Sequence, residues 1–392
     1  MHSLYIAWQY LRFDKFRTAT IIVCVTVILS LPIALKLVVD EANSQLHARA
    51  ISTPLLIGER GSAMDLVLSS LYFSDDVPRP LTINAMQRIV DTGLAQTIPV
   101  FRRFSAEGFP IVGTSIDYFS FRQLTLAEGR PYLYLGECVL GSTVAAKLGL
   151  HVGDAIYSST ENVFDLAGSY PLKMTISGVL KTIHNADDMA VFVDIKTSWV
   201  IAGLGHGHED LKKVNDPSVI LQRDDKTIRA NAKLLQYNEI TAENRNSFHF
   251  HGDMEAYPLS AIIVVPLDAK SEALLKGRFI DAAIQQQIID PEAVVRVLLE
   301  RIFQIKKMID GVTLLVSMVT LLALMLVFAL SMRLRESEFE TLFKLGCVRS
   351  AIARLLTAEI ALVLGASIIL SCTLLGVVWP FREAMTRLLI FN

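Results

Sequence analysis

Two histidine-rich runs hold the densest chemistry in this sequence. His206-Gly-His208-Glu209-Asp210 and His249-Phe-His251-Gly-Asp253 contain four of its eight histidines, with His184, Asp187 and Asp188 upstream. Imidazole beside carboxylate suits zinc or another borderline transition ion. In an extended segment, His-x-His sets both rings on one face. His206, His208, His249 and His251 are therefore the candidate metal ligands. Solvated histidines in polar loops are the alternative, and spacing alone leaves it open.

Catalytic patterns are missing. The sequence contains no HExxH, no GxSxG and no cysteine-nucleophile motif. Asp75-Asp76, Asp187-Asp188 and Asp224-Asp225 are carboxylate pairs, but adjacent side chains diverge in a strand, so these read as strand ends or helix caps. GxxxxGK[ST] is absent too, so any ATP hydrolysis coupled to this protein belongs to another chain. A non-catalytic protein is expected, with zinc as the one cofactor to consider.

The elements that position these residues follow from where the apolar residues fall. The chain has 392 residues, 52% hydrophobic and 19% charged, and a mean hydropathy of +0.44. A net charge of −2 without a basic face excludes a nucleic-acid partner. Three uncharged runs carry the excess: Ala19–Leu35, Gly311–Met332, and Leu355–Trp379, the last broken only by Glu359. A helix needs about 20 apolar residues to cross a bilayer core. Pro32 in the first run is tolerable in a lipid-buried helix. Residues 1–17 precede that run and include Trp8, Tyr10 and Arg12, which does not suit a cleaved signal peptide.

The spacing thus predicts a membrane protein with three transmembrane α-helices, stalk extensions and a large α+β extracytoplasmic domain between the first and second spans. The expected segments are an amphipathic cytoplasmic helix over 1–17, spans at 18–39, 311–332 and 355–379, and a cytoplasmic loop over 333–354. The outer domain occupies 40–310, with an inner subdomain near 131–256, and a tail over 380–392 lies outside. Residues 41–310 hold 26 Lys and Arg against 32 Asp and Glu, whereas 1–17 and 333–354 each carry +2. Basic short loops stay cytoplasmic, so the acidic domain faces out; Arg382 and Arg387 in the tail run against the rule. Cys138 is the lone cysteine of the outer domain and cannot form an intrachain disulfide there.

Glu359 stands about one turn inside the third span. An intramembrane ionisable residue raises a functional reading such as a proton relay. A partner at Arg354 or the headgroups is the plainer expectation.

The loop RLRESEFETLFKLGCVRSAIARLLTAEIALVLG reads as helix, glycine break, helix. It resembles the signature of MacB/FtsX-type ABC transporter permeases, through Arg333, Arg335, Glu338, Leu342, Gly346, Arg349, Arg354, Glu359 and Gly365. Leu11, Lys15 and Arg17 resemble the family's opening. Val139, Gly141, Ala145, Leu148, Gly149, Gly153, Asp154, Gly178 and Val179 are similar to its middle segment. The resemblance implies a permease of a homodimer or heterodimer in the bacterial inner membrane. A cytoplasmic ABC ATPase subunit, itself holding ATP and magnesium, would dock on the inner loop at Arg333, Arg335, Glu338, Leu342, Gly346 and Arg349. A periplasmic adaptor or substrate-binding protein would meet the outer domain, and the stalks would relay ATP-driven movement for export or extraction of a substrate. An FtsX-like regulator or scaffold that moves nothing, and a zinc-linked accessory component, are the other readings. The family carries a fourth span; three are expected here.

Overall fold

Pro54 has no backbone donor, and the long helix leaving the first apolar run stops just before it. The chain opens with α1 (His2–Phe13) and α2 (Lys15–Ile51), which contains Pro32. The computed structural model describes residues 2–74, 79–159, 171–207, 220–223, 228–230, 238–280, 284–334, 336, 340–341, 344, 346 and 348–379. His208, Arg335, Glu338, Leu342, the pairs Asp75-Asp76 and Asp224-Asp225, and the tail from 380 onward lie outside the described residues.

Beyond α2 come β1 (Leu55–Glu59), α3 (Ala63–Leu71), β2 (Leu81–Thr82), α4 (Ile83–Val90), β3 (Ala95–Ala106) and β4 (Phe109–Thr114). The chain continues through α5 (Asp117–Phe121), β5 (Leu126–Gly129), β6 (Glu137–Leu140), α6 (Ser142–Leu148), β7 (Ala155–Tyr157) and β8 (Leu172–Leu180). Next are β9 (Val191–Asp194), α7 (Ile195–Ile201), β10 (Gly205–Gly207), β11 (Ile220–Arg223), β12 (Ile228–Ala230), β13 (Asn238–Glu239) and β14 (Phe248–Phe250). The last elements are β15 (Pro258–Leu259), β16 (Ala261–Pro266), α8 (Ala269–Arg278), β17 (Gln286–Ile289), α9 (Pro291–Leu334) and α10 (Arg349–Val378).

Among the described residues two compact units emerge, one of residues 2–45 with 297–379, the other of Leu46–Arg296. The second is built on an eleven-stranded mixed sheet in the order β13-β8-β6-β9-β4-β3-β16-β1-β17, with β5 and β7 also on β8. β3 pairs antiparallel with β4 and β16, whereas β9 joins β4 in parallel. That parallel joint carries strands of the 131–256 segment into one sheet with strands from either side of it. β16 is an unbroken apolar run, Ala-Ile-Ile-Val-Val-Pro, because it is central and its first four residues are fully buried. Leu55, Ile57, Ile111, Leu140, Ile176, Val193, Ile262 and Val264 belong to the shared core. Thr82 stands at the N-cap of α4 as its residue type predicts, but its side chain makes no cap hydrogen bond.

In the first unit, Leu11, Ile21 and Val25 pack with Val363. The Ser371 hydroxyl donates to the Thr26 carbonyl at 3.3 Å and the Thr26 hydroxyl to the Ser367 carbonyl at 3.4 Å. Small hydroxyl residues let helices approach closely where lipid supplies no hydrophobic drive. Among the described residues, two helices are long and apolar enough to cross a membrane, Lys15–Leu37 and Ser350–Val377. The third expected span lies on the continuous helix α9, which has a shorter apolar stretch at Asp310–Ala323.

Candidate functional site

Gly205-His206-Gly207 and Phe248-His249-Phe250 alternate small or aromatic residues with histidine, and alternation decides which face each side chain takes. β10 and β14 pair antiparallel with His206 opposite His249, Gly205 opposite Phe250 and Gly207 opposite Phe248. A Cβ on Gly205 would meet the Phe250 ring at 2.7 Å and one on Gly207 the Phe248 ring at 2.6 Å, so only glycine lets those rings cross the ribbon. Phe248 and Phe250 pack against the core, Phe250 edge-to-face with Trp199. The opposite face is left to the histidines.

His251 follows β14 and completes the cluster. Its Nε2 lies 3.3 Å from Nε2 of His206, and the two rings stack with centroids 4.6 Å apart. The His249 ring centroid is 5.0 Å from that of His206 and 4.6 Å from that of His251. One ligand nitrogen from each of the three falls within 4.8 Å of the others. The backbone beneath is held by Tyr257, whose hydroxyl lies 2.7 Å from the His251 carbonyl and 3.2 Å from that of Leu204. His206 and His251 are exposed and His249 half-buried, so the cluster is open to solvent. His184, Asp187 and Asp188 are not part of it.

Asp187 and Asp188 do not end a strand. Both are fully buried in a 3₁₀ turn, Ala186–Met189, between β8 and β9. Asp187 accepts from both Nη1 (2.7 Å) and Nη2 (2.8 Å) of Arg49, in the last turn of α2. Arg49 Nη2 also donates to the Tyr118 hydroxyl at 2.8 Å, and Tyr118 donates in turn to Asp187 Oδ1 at 2.8 Å. Arg49 Nε donates to the Leu71 carbonyl, and the guanidinium lies over the Phe73 ring. Burial alone would push the Asp187 carboxyl up and the Arg49 guanidinium down. Their pairing reverses both, holding Asp187 below the usual carboxylate range and Arg49 above its ordinary value. Burial, the largest influence on Tyr118, pushes its phenol up to about 12. Asp188 accepts from the backbone N–H of Ile183 and His184, at 3.1 and 2.7 Å.

Gly141 lets this turn come close. A Cβ there would lie 2.4 Å from the carbonyl oxygens of both Asp187 and Asp188, while its N–H donates to the Ala190 carbonyl at 2.9 Å. The only sequence signal for Arg49 is a lone charge between Ala48 and Ala50 at a helix end, too common a pattern to single out.

In the first unit Glu359 is almost fully buried and pairs with Arg17, whose Nη2 donates to Oε1 at 3.1 Å. The expected neighbour Arg354 instead donates from Nε to the Ser350 carbonyl at 3.1 Å. Helical spacing favours a residue one turn away, but the start of α2 packs on α10 through Ile21 and Val25 against Val363, and a buried carboxylate takes the cation that packing delivers. Of the inner-loop residues, Arg333 lies exposed in the last turn of α9, Gly346 sits in a turn with φ +91°, and Arg349 opens α10.

Residues 21–233, just over half of the chain, match the family described as MacB-like periplasmic core domain. Among solved structures, the periplasmic region of MacB from Actinobacillus actinomycetemcomitans is 12% identical. It matches over 63% of this chain and 92% of that one, with a TM-score of 0.34. The extracellular domain of the noncanonic ABC-type transporter YknZ from Gram-positive bacteria, also 12% identical, matches over 60% and 98%, with a TM-score of 0.32. Superpositions this loose carry no structural detail. No curated protein matches the sequence.

Proposed function

The chain belongs to the family of the MacB-like periplasmic core domain, and from that premise we propose that it is the membrane subunit of an ABC-type transporter. It couples ATP hydrolysis by a separate cytoplasmic ATPase to movement of its periplasmic unit, for export or extraction of a substrate. The observation that carries this reading is the family match over residues 21–233 in a chain whose apolar helices, Lys15–Leu37 and Ser350–Val377, come before and after the α+β unit in sequence. Residues 311–332 form a third span within α9. Support comes from Val312, Leu315, Met318, Val319 and Leu322, all exposed on a continuous helix, as lipid-facing side chains are. The continuous helices α2 and α9 act as the stalks, and Arg333, Arg335, Glu338, Leu342, Gly346 and Arg349 receive the ATPase. The subunit itself is non-catalytic, lies in the inner membrane, and pairs with a second permease.

Purification of the full chain from its native membrane tests the proposal. A Walker-type ATPase subunit should copurify, and reconstituted ATPase activity should respond to Glu338→Lys. Absence of any ATPase partner, or full coupling in the Glu338→Lys variant, overturns it.

A further inference from the structure

The histidine ribbon is unused by the coupling reading, and its geometry points to a further role. We propose that His206, His249 and His251 form a site for one zinc-class divalent ion on the periplasmic unit, whether or not the chain is a transporter subunit. Two nitrogens bound to one tetrahedral zinc at 2.0–2.1 Å stand about 3.3–3.4 Å apart. The Nε2 atoms of His206 and His251 are already 3.3 Å apart. A hydrogen bond between two neutral rings would also account for that spacing, but it gives no reason for a third ring at the same point. His249 supplies that ring from the facing register position, with its ligand nitrogen within 4.8 Å of the other two. Binding would draw the His249 nitrogen in from within 4.8 Å to the spacing of the other two.

The surroundings fit a ligand set. His249 Nδ1 lies 3.0 Å from the Ser247 carbonyl, and as donor to it leaves Nε2 with its lone pair. Metal-binding histidines are commonly oriented through such a contact from the other ring nitrogen. Three neutral imidazoles without a carboxylate select zinc, copper or nickel over calcium or magnesium. Three protein ligands leave the fourth position for water or an incoming group. The ion would also pin β10 to β14 on the side away from Trp199.

Full-length protein purified in detergent without a polyhistidine tag tests this by zinc titration calorimetry, with cobalt absorption reporting geometry. One saturable ion per chain is expected, with a tetrahedral cobalt band and no heat from magnesium. His206→Ala, His249→Ala and His251→Ala should each weaken zinc by at least about 100-fold, beyond the roughly 10–100-fold of a lost outer-shell contact. His151→Ala, at an exposed turn, should bind as the parent does. His206→Gln guards against a folding defect, since its metal-free melting should match the parent while the zinc-induced rise in Tm disappears. Absence of saturable binding, or affinity unchanged in all three alanine variants, overturns the site.

Discussion

Arg49 and Asp187 meet fork to fork, at 2.7 and 2.8 Å, with both side chains shut off from solvent. One closes the last turn of α2 and the other lies in the turn before β9, so this pair ties the end of α2 to the middle of the sheet. Removing one partner strands a buried charge. Asp187→Ala and Arg49→Ala should each cost about 3–5 kcal/mol. The double replacement Arg49→Met/Asp187→Leu should recover much of that loss, as thermal melting of the periplasmic unit's near-UV signal would register. Equal damage in the double variant would mean that the charges themselves are needed.

The same pair gives the outer unit a defined pH window. Asp187 titrates below its unfolded value near 4, so its contribution is intact above about pH 4 and is lost as pH falls through the lower folded value. Tyr118 behaves oppositely. With its pKa raised to about 12, its contribution is intact below its unfolded value near 10 and disappears as pH climbs from there towards 12. A melting series across pH should fall on the acid and alkaline sides, and Tyr118→Phe should lessen the alkaline loss, which Tyr118 shares with Tyr72, Tyr132 and Cys138, all pushed up by burial in the same unit.

Gly141→Ala should destabilise by about 1–3 kcal/mol, the usual cost of overpacking, because the added methyl meets two backbone carbonyls that cannot rotate away. Ser142→Ala, one residue on, leaves that approach untouched and serves as the control. Comparable melting temperatures for the two variants would contradict the contact.

Arg17 and Glu359 predict a charge-swap rescue. Arg17→Glu should lower the amount of folded protein in membranes, because it sets two carboxylates against each other where burial is nearly complete for one. Adding Glu359→Arg should restore it. Size-exclusion profiles of the extracted variants read this out, and a double variant no better than the single would show that the pair is not coupled.

Much of the fold could be read from residue order. Ala261–Pro266 and Leu172–Leu180 are apolar or alternating runs, a pattern that reads as strand without knowledge of its neighbours. Pro291 opens α9, a start its residue type favours because proline suits a first helical turn. β3 is longer than its apolar stretch because pairing with β16 and β4 stabilises polar positions such as Gln96 and Arg102. The histidine pattern was legible as two His-x-His runs, but not as a set of three. Which rings meet depends on β10 choosing β14 and on a register that sets His206 opposite His249.

The sequence by itself determined the division of this protein into apolar helices and an acidic α+β unit, because hydrophobic length and charge are summed locally along the chain. Only the tertiary structure decided that Glu359 faces Arg17 rather than Arg354, and that Asp187 is a buried counter-ion rather than a strand end. Those partners lie 342 and 138 residues away. The local pattern around a carboxylate records that it needs a cation; which one it finds depends on the packing of elements far apart in the chain.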